Sequence, residues 1–128
     1  MEKRITEIKN LKKGSFVLVD GVPCKVDSLQ TSRPGKHGGA KARLMAVGVF
    51  DGQKRTIVKP ADTKIDVPVI EKKNAQVIAI IGDNAQLMDL ADYSMSEVPI
   101  PEELKPLKEG EEVITWRYGN YVIIKSRK

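Results

Sequence analysis

Residues 16–26 read Phe-Val-Leu-Val-Asp-Gly-Val-Pro-Cys-Lys-Val. β-forming residues flank Asp20-Gly21 on both sides, and Asp-Gly is a favoured pair for the tight turn of a β-hairpin. A second such pair, Asp51-Gly52, stands between the apolar runs 44–50 and 56–58. The N-terminal half is therefore predicted to be a small barrel of short strands. Gly48, inside a strand pattern, predicts a bulge or a sharp bend.

The strand pattern restarts after residues 65–70, where Pro68 and a change in charge balance indicate a junction. Four further runs form two hairpin patterns, 76–81 with 86–90 and 113–118 with 121–124. The stretch 94–107 holds three prolines and predicts a loop with one helical turn. About five strands with one longer insertion are typical of an OB-type barrel. We therefore predict an all-β chain with two domains, residues 1–66 and residues 67–128.

The composition is that of a globular protein whose core is mostly aliphatic. The 128 residues are 41% hydrophobic but only 5% aromatic, and the net charge is +5. Residues 1–66 carry twice as many basic as acidic side chains, whereas acids slightly outnumber bases in residues 67–128. We therefore expect the first half to provide the surface that binds a polyanion. The single cysteine, Cys24, fits a reducing compartment, and with no signal peptide or membrane-spanning run we expect a cytoplasmic protein that binds no membrane.

One segment is basic throughout: residues 31–43 read TSRPGKHGGAKAR and contain no acid. Pro34-Gly35 and Gly38-Gly39 are turn-forming pairs that bracket Lys36 and His37. We expect a long hairpin tip that holds Lys36 out in solvent, with Gly35, Gly38 and Gly39 shaping the loop. The alternative is a solvated basic loop without a special role. The candidates for binding phosphate or RNA, chosen by charge, are Arg33, His37, Lys41 and Arg43.

The chain lacks the patterns of catalytic and metal sites. A phosphate-binding P-loop is excluded, because Gln30 stands where the motif needs its first glycine and His37 where it needs serine or threonine. One histidine and one cysteine cannot form a usual zinc site. We therefore expect neither an enzyme nor a metal or other bound cofactor. Three aromatic residues near the end allow two interpretations, packing or the stacking of bases: Trp116, Tyr118 and Tyr121.

The motif Gly35-Lys36-His37-Gly38, followed by Ala40-Lys41, resembles the hypusine loop of the translation initiation factor 5A family. The resemblance covers nearly the whole chain, because residues 21–25 and 65–68 resemble the opening hairpin and the interdomain joint of that family. It implies an SH3-like barrel followed by an OB-fold. Arg33-Pro34 and Gly39 resemble the archaeal form of the loop.

The resemblance also implies a function for Lys36. In the family, deoxyhypusine synthase transfers an aminobutyl group from spermidine to this lysine, giving deoxyhypusine and, after hydroxylation, hypusine. The factor binds the ribosome, including its rRNA, beside the peptidyl-tRNA. There the modified side chain reaches the acceptor end of the tRNA and promotes slow peptide bonds, notably at proline runs. We expect this chain to do the same as a monomer.

Two other functions remain open at the level of the sequence. The first is an unmodified RNA-binding module of ribosomal-protein type, in which the loop acts through its charge alone. The second is a nuclease that uses His37. The first alternative predicts that Lys36→Arg is nearly silent, whereas a modified-lysine factor would lose its function.

Overall fold

A computed structural model describes residues 2–32 and 39–128 as eleven β-strands and two short 3₁₀ helices. The all-β prediction is confirmed. Contacts within the chain define two units, one ending at Val69 and the other running from Ile70 to Lys128. This division lies three residues beyond the predicted end of the first domain at residue 66, because Val67 and Pro68 pair with Arg4 and Lys3 of the first strand. None of the described helices is long and apolar enough to span a membrane.

The first unit is an SH3-like barrel built from antiparallel ladders. The strands are β1 (Lys3–Glu7), β2 (Phe16–Val19), β3 (Val22–Ser32), β4 (Lys41–Gly48), β5 (Lys54–Pro60) and β6 (Lys64–Pro68). A 3₁₀ helix, η1 (Ile8–Asn10), follows β1. Four strands pair in the order β2-β3-β4-β5, while β1 pairs with β6, which lies beside β2.

Side-chain alternation in β4 separates the core of this unit from its surface. Ala42, Leu44 and Ala46 are buried, while Lys41 and Arg43 between them are exposed. The inward residues pack with aliphatic side chains from every part of the unit, as the low aromatic content predicts. The other core residues are Ile8, Leu11, Val17, Val19, Cys24, Val26 and Ala61.

The turn after β4 explains why glycine stands at position 48. The β4–β5 hairpin is confirmed, but the bulge of this sheet lies in β3 between Val26 and Ser28 instead of at Gly48. A Cβ atom on Gly48 would overlap the carboxylate of Asp51. That carboxylate is held in place by Arg55, whose Nη2 lies 2.8 Å from Oδ2, and by the backbone N–H of Gln53 at 3.0 Å. Glycine is therefore required by a close approach of side chains.

The second unit contains the strands β7 (Glu71–Ile81), β8 (Asn84–Asp89), β9 (Met95–Pro99), β10 (Glu112–Tyr118) and β11 (Tyr121–Arg127). They form a five-stranded OB-fold sheet in the order β11-β10-β7-β8-β9, whose edge strands β9 and β11 lie side by side. Both predicted hairpins are confirmed. The predicted loop 94–107 is wrong in its first part, which forms strand β9, and right in its helical turn, η2 (Glu102–Leu104). The three prolines of the segment, one of which ends β9, hide this edge strand in the sequence.

We predict that Gly48→Ala lowers the free energy of unfolding by about 1–3 kcal/mol, because the new methyl group must displace the Asp51 carboxylate from Arg55. Urea denaturation measures this. The control is Gly39→Ala, where an added Cβ meets no described atom within 4 Å, and which we expect to change stability by less than about 0.5 kcal/mol. Equal losses in the two variants would contradict the steric explanation.

The Asp51–Arg55 pair also predicts a pH dependence. Hydrogen bonds from Arg55 and then from the Gln53 N–H lower the pKa of Asp51. A lowered folded-state pKa stabilises the fold above the ordinary pKa of aspartate, and this contribution is lost as the pH falls through the folded pKa. As the pH is lowered from about 5 to about 2, we therefore expect the free energy of unfolding to fall less in Asp51→Asn than in the wild type.

Acid titration of unfolding midpoints by circular dichroism tests this expectation. Asp20→Asn is the control, because it makes the same change in the other Asp-Gly turn, where the carboxylate bonds to no described residue. The control should follow the wild-type acid curve. If it departed from that curve as much as Asp51→Asn does, the Arg55 pair would not be the cause.

Candidate functional site

The basic segment is framed by the longest ladder of the first unit. β3 and β4 pair from Cys24 opposite Gly48 to Ser32 opposite Lys41. A bulge between Val26 and Ser28 interrupts the register, and bulges of this kind increase the local twist of a hairpin. The strands that flank the segment thus form a hairpin, as the sequence predicts. Five predicted site residues lie outside the described residues: Arg33, Gly35, Lys36, His37 and Gly38.

The C-terminal foot of the segment is tied to η1 by backbone hydrogen bonds. The N–H of Ala61 donates to the carbonyl of Ala40 at 2.8 Å, and the N–H of Lys9 donates to the carbonyl of Ala61 at 3.0 Å. Ala61 itself is only 6% exposed. Residues far apart in the sequence therefore fix where the chain enters β4.

Two adjoining cavities of about 370 and 280 Å³ lie at this foot and share Lys9, Ala40 and Ala61. The remaining wall residues are polar or small: Thr31, Ser32, Gly39, Lys41, Pro60 and Asp62. Hydroxyl and ammonium groups are typical ligands of phosphate oxygens. Lys9 was not predicted from the sequence, because nothing in its local pattern shows that it folds against the basic segment. Its Nζ lies 3.1 Å from the Oε2 of Glu7.

Lys41 and Arg43 are the predicted phosphate candidates that the structure describes. Both side chains are exposed on the outer face of β4. Neither forms an ion pair with any of the described residues. Across the sheet, Arg43 lies opposite Gln30 and Val58, which are uncharged. This side of the hairpin therefore presents cationic charge that is available to an anion.

Gly39 lies at the edge of the described residues and is exposed. Its φ is outside the left-handed region, and an added Cβ would meet no described atom within 4 Å. No steric requirement for glycine is thus found at position 39 itself.

The thiol of Cys24 is buried and is not suited to act as a nucleophile. Burial raises its pKa, although the neighbouring Arg55 acts in the opposite direction. A thiol with a raised pKa is a poor nucleophile at neutral pH. Within residues 2–32 and 39–128, no group of three His, Cys, Asp or Glu side chains is placed to hold a metal ion.

The three aromatic residues of the second unit have different environments. Tyr118 is 6% exposed and packs as part of the protein interior. Trp116 is half-buried, and the ammonium groups of Lys72 and Lys125 lie 5.4 and 4.5 Å from the centre of its ring. Tyr121 is 41% exposed. The packing interpretation is therefore confirmed for Tyr118.

Comparison with known sequences gives matches over both units. The family model described as translation initiation factor 5A-like, N-terminal, matches residues 4–63. A translation initiation factor 5A of Methanocella arvoryzae is 58% identical over 112 residues, which cover 87% of this chain and 88% of that protein. A translation initiation factor 5A of Thermofilum pendens is 50% identical over 131 residues, and the match covers 99% of each protein.

Solved structures with the same fold include a eukaryotic translation initiation factor 5A from Methanococcus jannaschii. It has a TM-score of 0.86 and 40% identity, and the match covers 98% of this chain and 95% of that one. A translation initiation factor eif-5a family protein from Naegleria fowleri has a TM-score of 0.77 and 30% identity, with 100% and 99% covered.

Proposed function

Since this chain belongs to the translation initiation factor 5A family, we propose that it binds the ribosome and acts there through a modified Lys36. The modified side chain reaches the acceptor end of the peptidyl-tRNA and promotes peptide-bond formation, notably at proline runs. The observation that carries this proposal is the β3–β4 ladder, whose last pair, Ser32 opposite Lys41, brackets the segment that contains Lys36.

The modification supplies what an ordinary lysine lacks. Deoxyhypusine synthase transfers the aminobutyl group of spermidine to the ε-amino group of Lys36, so that a C–N bond of spermidine breaks and 1,3-diaminopropane leaves. A bare lysine is a single charge on a four-carbon stem. The added group roughly doubles the reach of the side chain and adds a second amine that can donate to phosphate or ribose. We expect the contribution to be the positioning of the tRNA end rather than proton transfer.

The base of the segment supplies the surrounding phosphate contacts. Lys41 and Arg43 present charge that no described carboxylate neutralises. The cavities at Lys9, Ala40 and Ala61 add the hydroxyl groups of Thr31 and Ser32 beside the foot, together with the Lys9 ammonium, which pairs with Glu7, and the carboxylate of Asp62. Phosphate contacts of this kind fix the position and orientation of a bound RNA without reading its sequence. Arg33 and His37, with Gly35 and Gly38 shaping the loop, would complete this surface.

We predict that Lys36→Arg abolishes stimulation of peptide-bond formation at proline runs, because arginine keeps the charge but cannot receive the aminobutyl group. The assay is translation of a proline-run message on archaeal ribosomes with protein purified from cells that contain the modifying enzyme. Intact mass and the mass of the Lys36 peptide should both increase by one aminobutyl group in the wild type.

An unshifted Lys36 peptide from such cells, with full activity of Lys36→Arg, would favour the unmodified RNA-binding module. The nuclease alternative makes a different prediction. It requires that purified wild-type protein cleave RNA and that His37→Ala remove the cleavage.

We further predict that Lys41→Ala and Arg43→Ala each weaken ribosome binding and reduce the slope of log affinity against log salt by about 1. Sedimentation with ribosomes over a salt series measures both quantities. Lys54→Ala is the matched control, because Lys54 is also exposed but lies at the far end of β5. A slope that falls equally in the control would mean that these two cations act only through overall charge.

A further inference from the structure

The outer face of the second unit carries an aromatic and cationic cluster that the proposed function does not use. Trp116, the only tryptophan of the chain, lies in β10 opposite Lys72 of β7 and Ile123 of β11. The Nζ atoms of Lys125 and Lys72 lie 4.5 and 5.4 Å from the ring centre. We call Trp116, Lys72 and Lys125 the tryptophan cluster.

The two lysines of the tryptophan cluster are not neutralised by ion pairs with described residues, although acids slightly outnumber bases in this unit. Four other basic side chains of the unit form ion pairs with carboxylates. Lys72 and Lys125 form none with any described residue, although both are exposed. The paired bases are Lys73, Lys105, Arg127 and Lys128. The net charge of the unit therefore does not describe the potential at Trp116.

The neighbouring positions on this face are uncharged. The next row across the sheet consists of Asn74, Ile114 and Ser126. A cavity of about 440 Å³ opens beside it and includes Lys72, Lys73 and Asn74 in its wall. A polynucleotide that crosses these rows meets ammonium groups, an amide and a hydroxyl beside the apolar side chains of Ile114 and Ile123, and no carboxylate from either row. The face thus suits a polyanion better than an apolar protein surface.

We infer that the tryptophan cluster binds a single-stranded polynucleotide. One base stacks on Trp116, and the phosphates on either side of it contact Lys72 and Lys125. Aromatic rings stack with any base and lysines bind the backbone, so this combination gives binding with little sequence preference. The lysines that now lie over the ring are already positioned beside it and can shift to the phosphates when a base takes their place. This inference concerns the second unit and does not depend on the modification of Lys36.

The test uses the full-length protein with unmodified Lys36, and its readout is specific to the proposed site. Because Trp116 is the only tryptophan, its fluorescence reports stacking at that residue even if the basic segment binds RNA elsewhere. We expect a 12-residue oligouridylate to quench this fluorescence in a saturable way, with an affinity that falls as salt rises. Inorganic polyphosphate of similar charge should bind without comparable quenching. Equal quenching by polyphosphate, or none by the oligonucleotide, would overturn the inference.

Variants separate the two lysines from general charge effects. The double variant Lys72→Ala, Lys125→Ala should bind the oligouridylate about tenfold more weakly, as measured by the concentration that gives half-maximal quenching. Lys108→Ala is the control, because Lys108 is an exposed lysine of the same unit that contacts no described carboxylate. The control should leave the titration unchanged, and an equal loss in it would overturn the inference. A backbone amide NMR spectrum with the dispersion of the wild type verifies that each variant is folded before titration.

Discussion

The ladder between β3 and β4 is the constraint on which the candidate site depends. An antiparallel register that buries Ala42, Leu44 and Ala46 in the core necessarily turns Lys41 and Arg43 outward. A slip of one residue would bring both cations into an aliphatic interior, where an unpaired charge is very costly. The core therefore fixes the register of the two strands that flank the segment and the side on which Lys41 and Arg43 face. The register of β3 and β4 that buries the core residues therefore also orients the cations of the proposed site.

Ion pairing divides the surface of the protein into neutralised and available charge. In the turn after β4, Arg55 and Asp51 bond through two pairs of atoms, and the paired side chains occupy the space that a Cβ atom at position 48 would need. At Lys41 and Arg43, and again at Lys72 and Lys125, no described carboxylate lies within ion-pairing distance. Unpaired cations that lie on a rigid sheet lose little conformational freedom when they bind an anion. Each unit therefore carries a surface on which exposed cations form no ion pair with a described carboxylate.

The hairpins were predictable because their signals are local. Each of three turns consists of a two-residue pair between β-forming runs: Asp20-Gly21, Gly82-Asp83 and Gly119-Asn120. β1 and β9 gave no such signal. β1 is largely exposed, with Ile5 at 68%, and is stabilised by β6 about sixty residues later in the chain. β9 ends in proline and has only one fully buried residue, so its pattern cannot be distinguished from a loop.

By itself, the sequence determined the all-β class, the hairpins, the basic segment around Lys36 and the resemblance to a family, because turn chemistry, charge runs and motifs are properties of neighbouring residues. Only the tertiary structure decided that Lys9 and Ala61 hold the foot of that segment at Ala40. It also decided that Lys72 and Lys125 meet at the ring of Trp116. The physical reason is that backbone hydrogen bonds and cation–π contacts act over a few ångströms in space. The pairing of strands brings together residues that are far apart in the chain, and their spacing in the sequence does not predict the contact.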